Sequence, residues 1–129
     1  MVLSETHRDL LDGKNFATIA TLNPDGSPHT SVVWVKRDGD DVLVSTVMGR
    51  KKDRNLRKDP RVSINVVDHA NPYRYTEFRG EVTLSLEGGD ELINELAHKY
   101  VGTDYQGDIG TDNVRVVVRL RPSKITGAS

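Results

Sequence analysis

The chain has no cysteine among its 129 residues. That excludes a disulfide framework and a thiolate metal site, and it suits a reducing cytoplasm. Aromatic residues make up only 5% of the chain, so it lacks the kind of platform on which unpaired bases stack. No apolar run approaches the ~20 residues that cross a bilayer, and the opening MVLSETHRDLL has no long apolar stretch like that of a secretory signal. We therefore expect a cytoplasmic protein with no membrane partner. Catalytic signatures are missing as well. There is no HExxH, no dinucleotide-type GxGxxG and no Ser-His-Asp pattern. His7, His29, His69 and His98 lie far apart, without metal-ligand spacing, so no metal is expected and no catalytic side chain can be named. Net charge is −1, which argues against nucleic acid as a partner.

Against that background one stretch stands out, Thr46–Arg61, TVMGRKKDRNLRKDPR. From Arg50 to Arg61 it holds seven basic and two acidic residues, a local charge of +5 that leaves −6 for the remainder. It follows a strand-like run, Val42–Thr46, and opens a short helix that Asp59-Pro60 closes. A helix start offers unpaired N–H groups and the positive end of the dipole, so a basic cluster there suits an anion, and phosphate above all. A basic solvent-facing helix surface has the same composition, and charge alone does not separate the two.

The remaining pattern is mainly β. Ser4 caps a first helix over Glu5–Leu11, which stops at Gly13. Strands follow at Phe16–Leu22 and His29–Lys36, joined by the turn Asn23-Pro24-Asp25-Gly26. Arg61–Val67 alternates with Val62, Ile64 and Val66 on one face. A long strand over Tyr75–Leu86 turns Phe78, Val82, Leu84 and Leu86 inward, and Gly80 interrupts that face as a bulge or bend. Asp90–Val101 repeats apolar residues at helical spacing. Asn113–Arg121 is a last strand with Val114, Val116, Val118 and Leu120 inward and Arg115, Arg119 and Arg121 outward. Six or more antiparallel strands with short helices point to one domain, a small barrel.

Three segments, FATIATLNPDGSPHTSVVWV, GRKKDRNLRKDPRVSINV and NPYRYTEFRGEV, occur in an order and spacing that resembles the pyridoxamine 5′-phosphate oxidase-like superfamily, the flavin-binding split β-barrel. The likeness runs from about Leu11 to Ile125. It is closest to the branch of small probable coenzyme F420-dependent oxidoreductases. The resemblance implies a homodimer with cofactor sites at the subunit interface. It implies that Arg50 and Lys52 bind the cofactor's phosphate with Lys51 nearby, and that Asn55 fixes the loop and helix. The ring edge would lie along Thr30, Ser31, Val32, Val33 and Trp34 and beside Ser45 and Thr46. Tyr73 and Tyr75 match the segment given by the second subunit. Val32 departs from the pattern, since many members have proline there.

The activity so implied is hydride transfer from reduced coenzyme F420 to an electron-poor, conjugated small molecule. In this chemistry the cofactor carries the reaction and the protein binds and orients it, which fits a chain without a catalytic constellation. FMN is the alternative cofactor, in an oxidase or flavin reductase of the same superfamily. A non-catalytic cofactor carrier is the alternative outside enzymes. The chain lacks the longer C-terminal region of true pyridoxamine phosphate oxidases, which argues against a B6 vitamer as substrate.

Overall fold

The computed structural model describes residues 1–128. Eight strands and three helices follow one another in the order α1 (Glu5–Asp12), β1 (Ala17–Leu22), β2 (Pro28–Val33), β3 (Lys36–Asp38), β4 (Asp41–Val47), α2 (Lys51–Lys58), β5 (Arg61–Val67), β6 (Tyr75–Ser85), α3 (Gly89–Tyr100), β7 (Arg115–Leu120) and β8 (Lys124–Gly127). The strands form one antiparallel sheet in the order β2-β1-β5-β6-β7-β4-β3, with β8 paired to β6. It curls into a split β-barrel around a core that includes Ile19, Val44, Ile64, Phe78 and Val118. Among the described residues, no helix is long and apolar enough to cross a membrane.

The long strand β6 joins the two halves. Its first part pairs with β5 and β8, from Tyr75↔Val67 to Glu81↔Arg61, and its second part pairs with β7 from Val82 onward. Gly80 sits at the change of partner. A Cβ there would meet Arg121 O at 2.9 Å and Leu120 Cδ1 at 3.0 Å, so the close pass of the β7–β8 connection requires glycine. No bulge interrupts the ladder here, since Gly80 pairs with Val62 in unbroken register; crowding, not a bulge, explains the glycine.

Several expectations need correction. The strand expected over His29–Lys36 is two strands, because the backbone of Val35 is taken by side chains of α3. Val35 N donates to Tyr100 Oη at 3.2 Å, and Val35 O accepts from Lys99 Nζ at 2.7 Å. With those groups occupied, the ladder breaks at Trp34-Val35. β8 was not foreseen as a strand, being four residues long. On the long strand Leu86 lies beyond the end of β6 and is exposed, not inward.

The last strand differs most. Val114 precedes β7 and is exposed, whereas Arg115, expected to face outward, is buried. Both faces of β7 are covered. One face, with Val116, Val118 and Leu120, joins the barrel core. The other meets α3 through Val117, packed with Leu43, Leu92, Leu96 and Tyr100. Simple alternation does not identify the solvent face of a strand covered on both sides.

Candidate functional site

α2 begins without a side-chain cap. Arg50 takes the N-cap position in extended backbone and makes no capping bond. The first helical hydrogen bond runs from Arg54 N to Arg50 O at 2.9 Å. Asp53 turns back to accept from Gly49 N at 2.8 Å, and Arg57 Nε pairs with the same carboxylate at 3.0 Å. The only acid in the first turn is thus occupied on its own helix, and the helix start keeps its positive character.

This helix start opens on a cavity of about 530 Å³. Arg50, Lys51 and Lys52 line it at one end. His29, Val32, Val33 and Trp34 line it from β2 and the residue beyond, and Ser45 and Thr46 from β4. Ile93 and Leu96 of α3, Tyr105 and Arg115 complete the wall, with Phe16 at its edge. β2 is an edge strand paired only with β1, so one row of its backbone groups has no strand partner. From His29 to Val33 the strand spans about 13 Å at ~3.3 Å per residue. The lining therefore combines the cations of α2 with apolar and aromatic side chains, and Arg115 brings a further charge against Tyr105. Trp34 stacks on Tyr100, centroids 5.4 Å apart and planes within 6°, with Tyr105 edge-on to Trp34 at 6.4 Å.

Two cations of the wall are set differently. Lys52 Nζ donates to Ser31 Oγ at 3.0 Å. Burial, with the charges of Arg50 and Arg115, holds its ammonium below the ordinary lysine value. Arg115 is 7% exposed and donates to both carboxylate oxygens of Asp108 at 2.8 and 3.0 Å. It also reaches Tyr105 Oη at 3.0 Å, and its guanidinium lies 4.8 Å from the Tyr105 ring centroid. Burial alone would lower the pKa of Arg115, but the Asp108 partner outweighs it and the net direction is upward. Asp108 in turn is held below the usual carboxylate range by Arg115. An anion entering this cavity meets Lys52 uncompensated and Arg115 already paired.

Comparison with known proteins decides the family. The family model for pyridoxamine 5′-phosphate oxidase matches residues 3–127. The chain belongs to the pyridoxamine 5′-phosphate oxidase family. Among solved structures, one named F420 reductase is 29% identical, with a TM-score of 0.84 over 96% of this chain and 98% of that one. A conserved hypothetical protein from Mycobacterium tuberculosis is 25% identical, with a TM-score of 0.77 over 97% of this chain and 84% of that one. A putative pyridoxamine 5′-phosphate oxidase from Listeria innocua, 17% identical with a TM-score of 0.69 over 92% of this chain and 90% of that one, shares the fold.

The residues expected to form a cofactor site divide into three groups within this family fold. Arg50, Lys51, Lys52, Val32, Val33, Trp34, Ser45 and Thr46 share the cavity wall, and Ser31 joins them through Lys52. Asn55 does not line the cavity. It is 4% exposed, and its amide donates to Thr21 Oγ1 at 3.0 Å and Asn23 Oδ1 at 3.1 Å, clipping α2 to the first hairpin. Thr30 is exposed on the opposite side of β2 from Ser31, and Tyr73 and Tyr75, 90% and 46% exposed, stand outside the cavity of their own chain. Sequence reasoning missed Arg115, Tyr105, His29, Phe16, Ile93 and Leu96. Of these, Phe16 and His29 lay inside a motif already singled out, FATIATLNPDGSPHTSVVWV.

Proposed function

We propose that this protein is a coenzyme F420-dependent reductase that passes a hydride from the reduced deazaflavin to an electron-poor, conjugated small molecule. The observation that carries this reading is the uncapped start of α2, with Arg50 and Lys52, in the wall of a cavity that Trp34, Tyr105, Ile93 and Leu96 also line. A phosphate ester attached to a planar ring has that distribution of charge and surface. The 29% identity to a structure named F420 reductase over almost the whole of both chains favours the deazaflavin over FMN. FMN is the second reading, because both cofactors present a phosphate to the same donors.

The residues divide the work as follows. Arg50 grips phosphate oxygens with its planar donor fork and Lys52 adds a point charge, aided by first-turn N–H groups of α2. The free edge of β2 over Ser31–Val33 gives backbone donors and acceptors to a polar ring edge. Ser45 and Thr46 offer hydroxyls from the facing strand. Trp34, Tyr105, Ile93 and Leu96 exclude water and give a flat substrate an apolar surface. The bound cofactor supplies the hydride chemistry, and these side chains fix its position.

A homodimer completes the proposal. Val32, 70% exposed, stands in register with Thr18, which pairs in turn with Asn65, and the neighbouring row carries Tyr75 opposite Val67. This outward face, together with the exposed Tyr73, suits a second copy that would bring its tyrosines to the cavity. The deciding experiment is a fluorescence titration of cofactor-free protein with F420 and separately with FMN, followed by oxidation of the reduced, preferred cofactor in the presence of conjugated acceptors. Micromolar or tighter F420 binding, weaker FMN binding and acceptor-dependent turnover are expected. Preference for FMN moves the protein to the flavin reading, and tight binding without turnover on any acceptor moves it to a carrier.

A further inference from the structure

His29 lines the cavity from β2, and nothing so far gives it a task. Its Nδ1 is closed off from solvent and has no hydrogen-bond partner among the described residues. Strand alternation places His29, Ser31 and Val33 on one face of β2, and that face looks toward α2. Ser31 Oγ accepts from Lys52 Nζ at 3.0 Å. Thr21, which pairs with His29 across the β1–β2 ladder, accepts from Asn55 at 3.0 Å. His29 therefore lies beside the first turns of α2, next to the residues that Lys52 and Asn55 hold. The charged groups sharing its cavity wall are Arg50, Lys51 and Lys52 from α2 and Arg115 from β7.

With Nδ1 turned inward, the nitrogen left for the open side of the ring is Nε2. The buried position has no acceptor, so a proton on Nδ1 would leave an unsatisfied buried donor. With its proton on Nε2 the ring leaves Nδ1 as a buried acceptor without a partner and presents an N–H donor on its open side.

We infer that His29 is a further binding residue of the site, donating from Nε2 to a phosphate oxygen of the ligand beside Lys52. The inference rests on the reading of the cavity as a phosphate-ester cofactor site, and it holds for a deazaflavin or a flavin alike. It makes His29 specific for the phosphate: a ligand with the same ring and no phosphate gains nothing from it.

The test uses the full chain and compares His29→Gln, His29→Asn and His29→Ala with the unsubstituted protein. Glutamine carries an amide nitrogen to roughly the place of Nε2, whereas asparagine reaches only the place of Nδ1. Each protein is titrated with F420 or FMN, whichever binds better, with its phosphate-free counterpart, and with pyrophosphate, and folding is checked by circular dichroism. We expect His29→Asn and His29→Ala to lose about tenfold or more for the phosphate-bearing cofactor, in line with loss of a hydrogen bond to a charged group. His29→Gln should retain affinity within about threefold, and the phosphate-free ligand should change less than twofold throughout. Equal losses for both ligands, no loss in folded His29→Ala, or failure of glutamine alongside asparagine overturns the inference. If the unsubstituted protein binds pyrophosphate and neither cofactor, the cofactor reading fails while the pyrophosphate series still decides His29. Binding of none of the probes overturns both.

Discussion

Lys52 and Arg115 belong to one cavity wall and carry the same charge, yet the protein treats them in opposite ways. Arg115, the more deeply buried, has a carboxylate on two of its nitrogens and a tyrosine against its face. Lys52 has only a hydroxyl, and its burial and nearest charges work against its ammonium. Arg115 is part of the structure, tying the segment after α3 to β7. Lys52 is a cation held at a cost in the free protein, and a ligand anion would relieve that cost. In the proposed function Lys52 is therefore the binding cation and Arg115 part of the rigid wall.

The comparison breaks most sharply at Asp108. Asp108→Ala leaves the Arg115 guanidinium buried without its partner, a loss of about 3 kcal/mol by analogy with broken buried pairs, or roughly 10 °C in thermal midpoint. The same change should tighten anion binding severalfold, since Arg115 becomes free to join Lys52. Thermal melts and a pyrophosphate titration measure the two effects. A fall in both stability and affinity would mean that Asp108 serves the site by shaping it.

Asn55 sharpens the boundary between site and scaffold. Its amide holds Thr21 and Asn23, so Asn55→Ala should cost about 1–3 kcal/mol, seen as a lower denaturant midpoint. Cofactor affinity should change less than threefold. A large affinity loss at unchanged stability would return Asn55 to the binding residues.

Lysine titration gives smaller effects with definite signs. The lowered pKa of Lys52 means that the unfolded chain binds more protons between that value and the ordinary 10.5. Its penalty to folding is full below this window and relieved as pH rises through it. Anion affinity moves the opposite way, falling as Lys52 loses its proton. Lys52→Arg should retain affinity to higher pH, because arginine stays charged, and dissociation constants measured from pH 7 to 10 check this. Lys99 is the internal control. Burial lowers its pKa to about 8, while its ammonium donates to Leu11 O at 2.6 Å and Val35 O at 2.7 Å. An NMR titration of its side chain should show a midpoint near that value, unmoved by cofactor.

Much of this arrangement was legible in the chain. A small antiparallel barrel followed from strand alternation such as that of Val62, Ile64 and Val66, and its split form from the family resemblance that the three motifs carry. The basic helix α2 was legible because seven basic residues cluster between Arg50 and Arg61, a local property. Arg115 was not, because its burial depends on α3 lying across β7 and on Asp108 being brought against it by the intervening segment. The break at Val35 was hidden for a similar reason: Lys99 and Tyr100, distant in sequence, take its backbone groups. β8 was hidden because four residues, Lys124–Gly127, become a strand only where the first half of β6 offers an edge. What depended on one element was readable, and what depended on two distant elements meeting was not.

The central claim is that Arg50 and Lys52 hold the phosphate of a ring-bearing cofactor. We would test it with a fluorescence titration of F420 against the unsubstituted protein and the double variant Arg50→Ala/Lys52→Ala. Two charge-assisted contacts at about 1.5–3 kcal/mol each give an expected loss of roughly 10²–10⁴-fold, with the thermal midpoint of the free protein unchanged or slightly raised. Equal affinity for the two proteins would contradict the assignment and leave the basic start of α2 as a solvated surface.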